Sequence, residues 1–251
     1  MHRKATAAAI AAMIAGAALT TGGCSAISDQ LEGREARSLE PSENSSPALL
    51  ATRQWGVVDG LLSVVVQNVT DRTLRYATGY ITARTEENEI IAASIESDRT
   101  CCEVVDLAPG AEYGFYLDVG DRAADISEVS VGYRNFSWAP ADVVPPAATA
   151  LRAKPVELQR DTAGAVVRAD LVSDRSHPEV VAQAFLTDEA GEFLAVVSGR
   201  WSCLTPGRRA IDMQLFHPLP AGAQVDRVVA HPVADDPTRA APDCSRPGAE
   251  L

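Results

Sequence analysis

From Trp55 onward, apolar and polar positions alternate in short runs broken by turn residues. This pattern predicts antiparallel strands with one face on a core and the other in water. In the run from Leu61 to Asn68, Leu62, Val64 and Val66 share one face, while Ser63 and Gln67 fall on the other. Leu74 to Thr85 follows with Tyr76, Thr78, Tyr80 and Ile81, side chains whose shape suits a pleated surface. Further runs cover Glu89 to Ile95, Tyr113 to Leu117 and Val129 to Tyr133, with turns at Asn68 to Thr73 and Glu86 to Asn88. No run in this half keeps a helical period for three turns.

The second half repeats the plan. Val69-Thr-Asp-Arg-Thr73 returns as Val172-Ser-Asp-Arg-Ser176 after 103 residues, and Leu107-Ala-Pro-Gly110 returns as Leu204-Thr-Pro-Gly207, its Pro-Gly displaced by 97. Ile126-Ser-Glu-Val-Ser-Val131 returns as Val225-Asp-Arg-Val-Val-Ala230, displaced by 99. A period of this size belongs to a whole sandwich domain and is too long for a solenoid repeat. Between the halves, Trp138 to Ala153 holds Pro140, Pro145 and Pro146, which deny backbone donors to a central strand and favour an extended connection. The expected organisation is a first sandwich at 53–137, a Pro-rich linker at 138–152, a second sandwich at 153–234 and a polar tail at 235–251. His177 and Pro178 lead into the Val180 strand, which is therefore expected to form a blunted sheet edge.

Ahead of the strands, residues 1–23 join a positive start, Arg3 and Lys4, to the Ala-rich run Ala5 to Leu19. That is the form of a secretory signal, too short and too Ala-rich for a membrane span. Thr21-Gly22-Gly23-Cys24 resembles the lipobox of bacterial lipoproteins, which implies that Cys24 carries a diacylglyceryl group. Two acyl chains, at about 0.8 kcal/mol per buried CH₂, suffice for stable anchoring. Removing residues 1–23 takes away two cations and no acid, so the formal charge falls from −12 to −14. Acidic headgroups repel such a body, which then depends on its anchor. Residues 24–52 show no sustained period and read as a flexible tether, with a short helix from Leu31 to Leu39 as the alternative.

The halves also resemble the FxLYD-like and related immunoglobulin-like β-sandwich domains of bacterial extracytoplasmic lipoproteins. The shared grammar is an early strand ending in Val66-Gln-Asn68, a polar turn, and Leu-x-Pro-Gly before a strand with alternating aromatics. Ala184-Phe185-Leu186-Thr187-Asp188, followed by Gly191, is similar to the family's namesake motif, and Gly79-Tyr80-Ile81-Thr82-Ala83 is its counterpart in the first half. The resemblance implies two tandem immunoglobulin-like antiparallel β-sandwich domains in an all-β chain on the outer face of the cell membrane, and no catalytic residues.

Composition narrows the chemistry. The acidic charge excludes a phosphate-neutralising surface, so nucleic acid is not expected as a partner. With Cys24 lipidated, Cys101, Cys102, Cys203 and Cys244 form an even set in an exported chain and allow three pairings. A Cys203–Cys244 bond would tie the tail to the second half, leaving Cys101 and Cys102 either joined to each other or free. His177, His217 and His231 are scattered without metal-ligand spacing, and no nucleophile elbow, phosphate loop or Ser-x-x-Lys is present. Neither a metal, a cofactor nor a catalytic residue is expected. The remaining expectation is a non-catalytic binding or structural module. Its envelope protein or polymer partner would meet the first-half loops bearing Asp71, Glu86, Glu87 and Asp98, near a concentration of aromatics at Trp55, Tyr76, Tyr80, Tyr113, Tyr116 and Tyr133. A transporter-linked small-ligand protein and a thiol-redox role for Cys101 and Cys102 are the alternatives.

Overall fold

Asp59-Gly60 sets the first hairpin. Both residues take positive φ, 46° and 80°, as a two-residue turn matched to strand twist requires. They reverse β1 (Ala51–Val58) into β2 (Leu61–Gln67). The computed structural model describes residues 49–93, 102–140, 151–233 and Cys244. The expected signal peptide, the tether up to residue 48 and the linker interior at 141–150 lie outside them.

The chain continues as β3 (Leu74–Arg84), β4 (Ile90–Ala93), β5 (Glu103–Leu107) and β6 (Glu112–Asp118), then a 3-10 helix at Gly120–Asp125 and β7 (Glu128–Trp138). The second half comprises β8 (Leu151–Arg160), β9 (Ala165–Ser173), β10 (His177–Thr187), β11 (Phe193–Leu204), β12 (Gly207–Leu215) and β13 (Gln224–Pro232). All described pairings are antiparallel, and the fold is an all-β sandwich architecture as the alternation predicts.

Four sheets form. Sheet I has β3 at its centre, with β7 on one side and β4 and β5 on the other; sheet II has the order β1-β2-β6. Sheet III has the order β11-β10-β13, and sheet IV the order β12-β9-β8. Leu62, Val64 and Val66 of β2 and Phe115 of β6 pack against Leu74, Ile81 and Ala83 of β3 and Val104 and Leu107 of β5, so sheets I and II enclose one core. Val167 and Leu171 of β9 and Met213 of β12 pack against Ala184 and Leu186 of β10 and Val197 of β11, so sheets III and IV enclose another.

The strand order of the first half recurs in the second, and the 103-residue displacement holds residue by residue from β2–β3 to β9–β10. Val64 and Ile81 fill one core where Val167 and Ala184 fill the other. The turns match in their bonding too. Thr70 Oγ1 donates to the Arg72 carbonyl at 3.1 Å and accepts from its N–H at 3.3 Å; Ser173 Oγ does the same with Arg175 at 2.8 and 3.3 Å. The Val180 strand departs from expectation: β10 is no edge but the centre of sheet III, between β11 and β13. Pro178 is tolerated because it falls at the strand's second residue, a position that neither neighbouring strand pairs with.

The two pairs of sheets meet where sheet II lies on sheet III. Val65 of β2 joins Phe185 and Val196 in a third apolar cluster, all three fully buried. Two glycines let the backbones approach. A Cβ on Gly114 would stand 2.5 Å from Val196 Cγ1, and one on Gly56 would stand 2.7 Å from the Phe193 carbonyl oxygen. Buried polar side chains then cap the edge strands reciprocally. Gln183 of β10 donates through Nε2 to the Gly114 carbonyl and accepts the Gly114 N–H at Oε1, both at 2.8 Å; Ser63 of β2 accepts the Val196 N–H at 3.1 Å. At the rim, Arg227 pairs with Glu112 and stacks over Phe185, its guanidinium 4.2 Å from the ring centroid. Arg200 bridges Glu103 and Glu179 at 2.7 and 2.6 Å.

This seam predicts two mutational effects. Gln183→Leu strands the Gly114 N–H and C=O in an apolar interface, at about 1–3 kcal/mol per unpaired group, so denaturant unfolding should show a loss of about 2 kcal/mol or more. Gly114→Ala should cost about 1–3 kcal/mol by overpacking. Combined with Val196→Ala, which vacates the clashing methyls, the loss should fall below the sum of the single variants; strict additivity would refute the contact.

Candidate functional surfaces

The first-half aromatics divide by strand parity. Tyr113 and Tyr133 turn inward against the core of sheets I and II, and burial pushes both phenols well above their ordinary range. Tyr76, Thr78, Tyr80 and Thr82 point the other way, alternating with the buried Ala77, Gly79, Ile81 and Ala83. Tyr76 and Tyr80 are half-buried and belong to none of the apolar clusters. The Tyr76 hydroxyl meets Thr78 Oγ1 at 3.0 Å. The Tyr80 ring lies flat across its register partner Gly132, where a Cβ would come within 2.0 Å of Tyr80 Cζ. Ser130 stands opposite Thr82, and Arg134 opposite Thr78. The outer face of sheet I thus carries phenol rings and small hydroxyls along β3, with Arg134 and Glu103 in register with Thr78 and with Arg84 and Glu128 at its end. Its counterparts in the second half, Val181, Gln183 and Phe185, are the residues that sheet II covers. Trp55 and Tyr116 sit apart from this face, at the rim of sheet II, 36% and 38% exposed.

The acidic positions are not brought together. Asp71 is exposed in the β2–β3 turn, and Glu86 and Glu87 are exposed in the β3–β4 turn. The eleven residues of β3 separate them, a span of about 35 Å. Asp98 lies outside the described residues. The first turn is fixed by the fully buried Asn68, whose Nδ2 donates to the carbonyls of Arg72 and Leu107 at 2.8 and 2.9 Å and whose Oδ1 accepts from Thr70. The second is fixed by Thr85 Oγ1, which accepts from the N–H groups of Glu87 and Glu89.

Cys203 and Cys244 are bonded, their Cα atoms 5.2 Å apart, and the bond ties the tail to the end of β11. Cys102 is also in a disulfide and is 3% exposed, so it is not a free thiol; its partner lies outside the described residues, as do Cys24 and Cys101. His177 Nε2 meets Ser173 Oγ at 3.0 Å, and burial holds the ring below its ordinary pKa. His217 Nδ1 reaches the Asp59 carbonyl at 2.9 Å. Among the described residues, no three His, Cys, Asp or Glu side chains converge as a metal site would need.

No family model and no curated protein matches the chain. Among solved structures, the chain is similar over 70% of its length to the C-terminal globular domain of an oligosaccharyltransferase from Pyrococcus abyssi, at 9% identity and a TM-score of 0.19. It is similar over 86% to red sea bream transglutaminase, at 12% identity and a TM-score of 0.21. The chain spans 42% and 34% of those proteins, and at such scores neither bears on fold or activity.

The disulfide closes a separation of 41 residues, for which chain entropy gives about 4 kcal/mol. Replacing both Cys203 and Cys244 by Ser should lower stability toward urea by up to that amount. A loss below about 1 kcal/mol would mean that the tail adds nothing to the fold.

Proposed function

We propose that the protein is a lipid-anchored, extracytoplasmic lipoprotein that acts by binding rather than by chemistry, holding a hydroxyl-rich envelope polymer on the outer face of sheet I. The observation behind this reading is the Tyr76–Tyr80 column with its Thr, Ser and Arg neighbours. A phenol ring offers an apolar plane and a polar rim, which suits a sugar ring with C–H groups on its faces and hydroxyls around its edge. Thr78, Thr82 and Ser130 both donate and accept, and Arg134 donates, so that edge can be answered without a fixed charge on the ligand. A chain of charge −12 has no matching attraction for a polyanion. The Ala-rich leader and Cys24 supply export and attachment, and the resemblance to FxLYD-like immunoglobulin-like modules agrees with a binding role.

Two experiments test this. Cys24→Ala should release the protein from membranes, and a variant that stays bound after a salt wash argues against the anchor. Replacing both Tyr76 and Tyr80 by Ala should weaken retention on insoluble cell-wall polysaccharide by about tenfold or more, at about 0.5–1.5 kcal/mol per aromatic contact, with an unchanged circular dichroism spectrum. Equal retention would sink the assignment of this face.

A further inference from the structure

The seam between sheets II and III buries a histidine that it can hold only in the neutral form. His231 of β13 is 6% exposed, and its ring centroid lies 5.3 Å from that of Tyr113 on β6. One ring nitrogen donates to the Glu112 backbone, while Nε2 is buried without a partner. An unpaired lone pair there costs about 1–3 kcal/mol, and protonation costs more, because it would place an N–H and a positive charge where nothing accepts them. Burial accordingly holds His231 down at about 4, against an ordinary 6.5.

Most charged groups on the surrounding elements pair with one another, and on β13 itself Asp226 pairs with Arg227. On β6, Glu112 pairs with Arg227 of β13, and the Tyr113 phenol stays neutral. On β5, β10 and β11, Glu103 and Glu179 share Arg200, and β5 also carries Asp106. On β8 and β9, Glu157 and Asp170 face Arg168 and Arg208 across the outer face of sheet IV, along with Lys154; β8 further carries Arg152 and Arg160.

We propose that His231 makes this seam an acid-sensitive joint, whose protonation parts sheet II from sheet III while the two sandwich cores on either side stay packed. The cores are distinct clusters, reached from across the seam by Leu61 of β2 in one and by Val181 of β10 and Val233 in the other. Parting breaks the contacts of Gln183, Ser63, Val65, Phe185 and Val196 together with those reaching residues and the Arg227–Glu112 and Arg200–Glu103 pairs. The direction follows from linkage. The opened state takes up a proton near pH 6.5 and the closed state only near pH 4, so closure is strongest above 6.5 and weakens as pH falls toward 4. Between pH 7.5 and 5 the opening equilibrium should rise about 30-fold from this group alone.

Native-state hydrogen exchange on the full chain tests the joint, because two seam hydrogen bonds are made by backbone amides, Gly114 and Val196. After correction for intrinsic exchange, their opening should increase about 30-fold from pH 7.5 to 5, the core amides of Ile81 and Val167 should not follow, and His231→Gln should flatten the dependence. Seam opening that ignores pH, core amides that open in step with the seam, or a dependence that survives His231→Gln would each overturn the proposal. Should His231→Gln fail to fold, titration of the His231 ring protons in the unaltered protein decides it: a midpoint near 4 supports the joint, and one near 6.5 overturns it.

Discussion

Sheet II can lie on sheet III only because the two backbones come closer than side chains on both would allow, and the rest of the architecture is arranged around that approach. Gly114 and Gly56 make the space, Val65, Phe185 and Val196 fill it, and Gln183 and Ser63 satisfy the backbone groups that close approach cuts off from water. The repeat explains why the stack stops at four sheets. By strand register, Val65 and Gly114 of sheet II correspond to Arg168 and Asp212 of sheet IV. Those two are joined by hydrogen bonds at 2.9 and 3.1 Å on the outer face, with Arg208 and Asp170 paired beside them. Exposed pairs of this kind add little stability. They do make it costly to bury the face under another sheet.

Much of the fold was legible in the chain. Period-2 alternation located most strands, and the displaced turn motifs marked a repeat that the Thr70 and Ser173 hydrogen bonds reproduce atom for atom. Asp59-Gly60 was a strong hairpin signal, and weighing it would have marked β1, which begins at Ala51, as a strand paired with the Leu61 run. The seam was harder to read. Val64-Val65-Val66 and the run Val180 to Leu186 are nearly continuous apolar stretches, the mark of strands buried on both faces, yet alternation invites reading them as one-sided. Gln183 within such a run resembles a solvent-facing position and is 1% exposed. Its burial rests on Gly114, sixty-nine residues away in the chain, and no local pattern encodes that pairing.

The candidate surface was partly legible for a related reason. Concentration of aromatics in the first half drew attention to the right strand, but hydrophobicity alone would send Tyr76 and Tyr80 inward. Volume decides otherwise. Phe115 and Tyr113 of sheet II already occupy the core space opposite β3, so the strand presents the small Ala77, Gly79 and Ala83 with the single larger Ile81 to them and turns its tyrosines out. The acidic loops failed to converge for a simpler reason. The β2–β3 and β3–β4 turns lie at opposite ends of the eleven-residue β3, so they cannot share a site, whatever their charge.

The polar groups in the seam also fix what a purely apolar interface would leave loose. Val65, Phe185 and Val196 could be buried almost as well with the sheets displaced by one residue, since apolar contact is non-directional. Gln183 could not. A shift would separate its amide from the Gly114 N–H and C=O, and Ser63 from the Val196 N–H, leaving each group buried and unpaired at about 1–3 kcal/mol. Summed over these groups, the penalty is comparable with the whole stability of a small domain, so one sheet-to-sheet register is selected over its neighbours. The outer faces of sheets I and IV are carried on that register. A phenol surface at one end of the stack and a charged ladder at the other therefore hold a fixed relation, set by one buried glutamine and one buried serine.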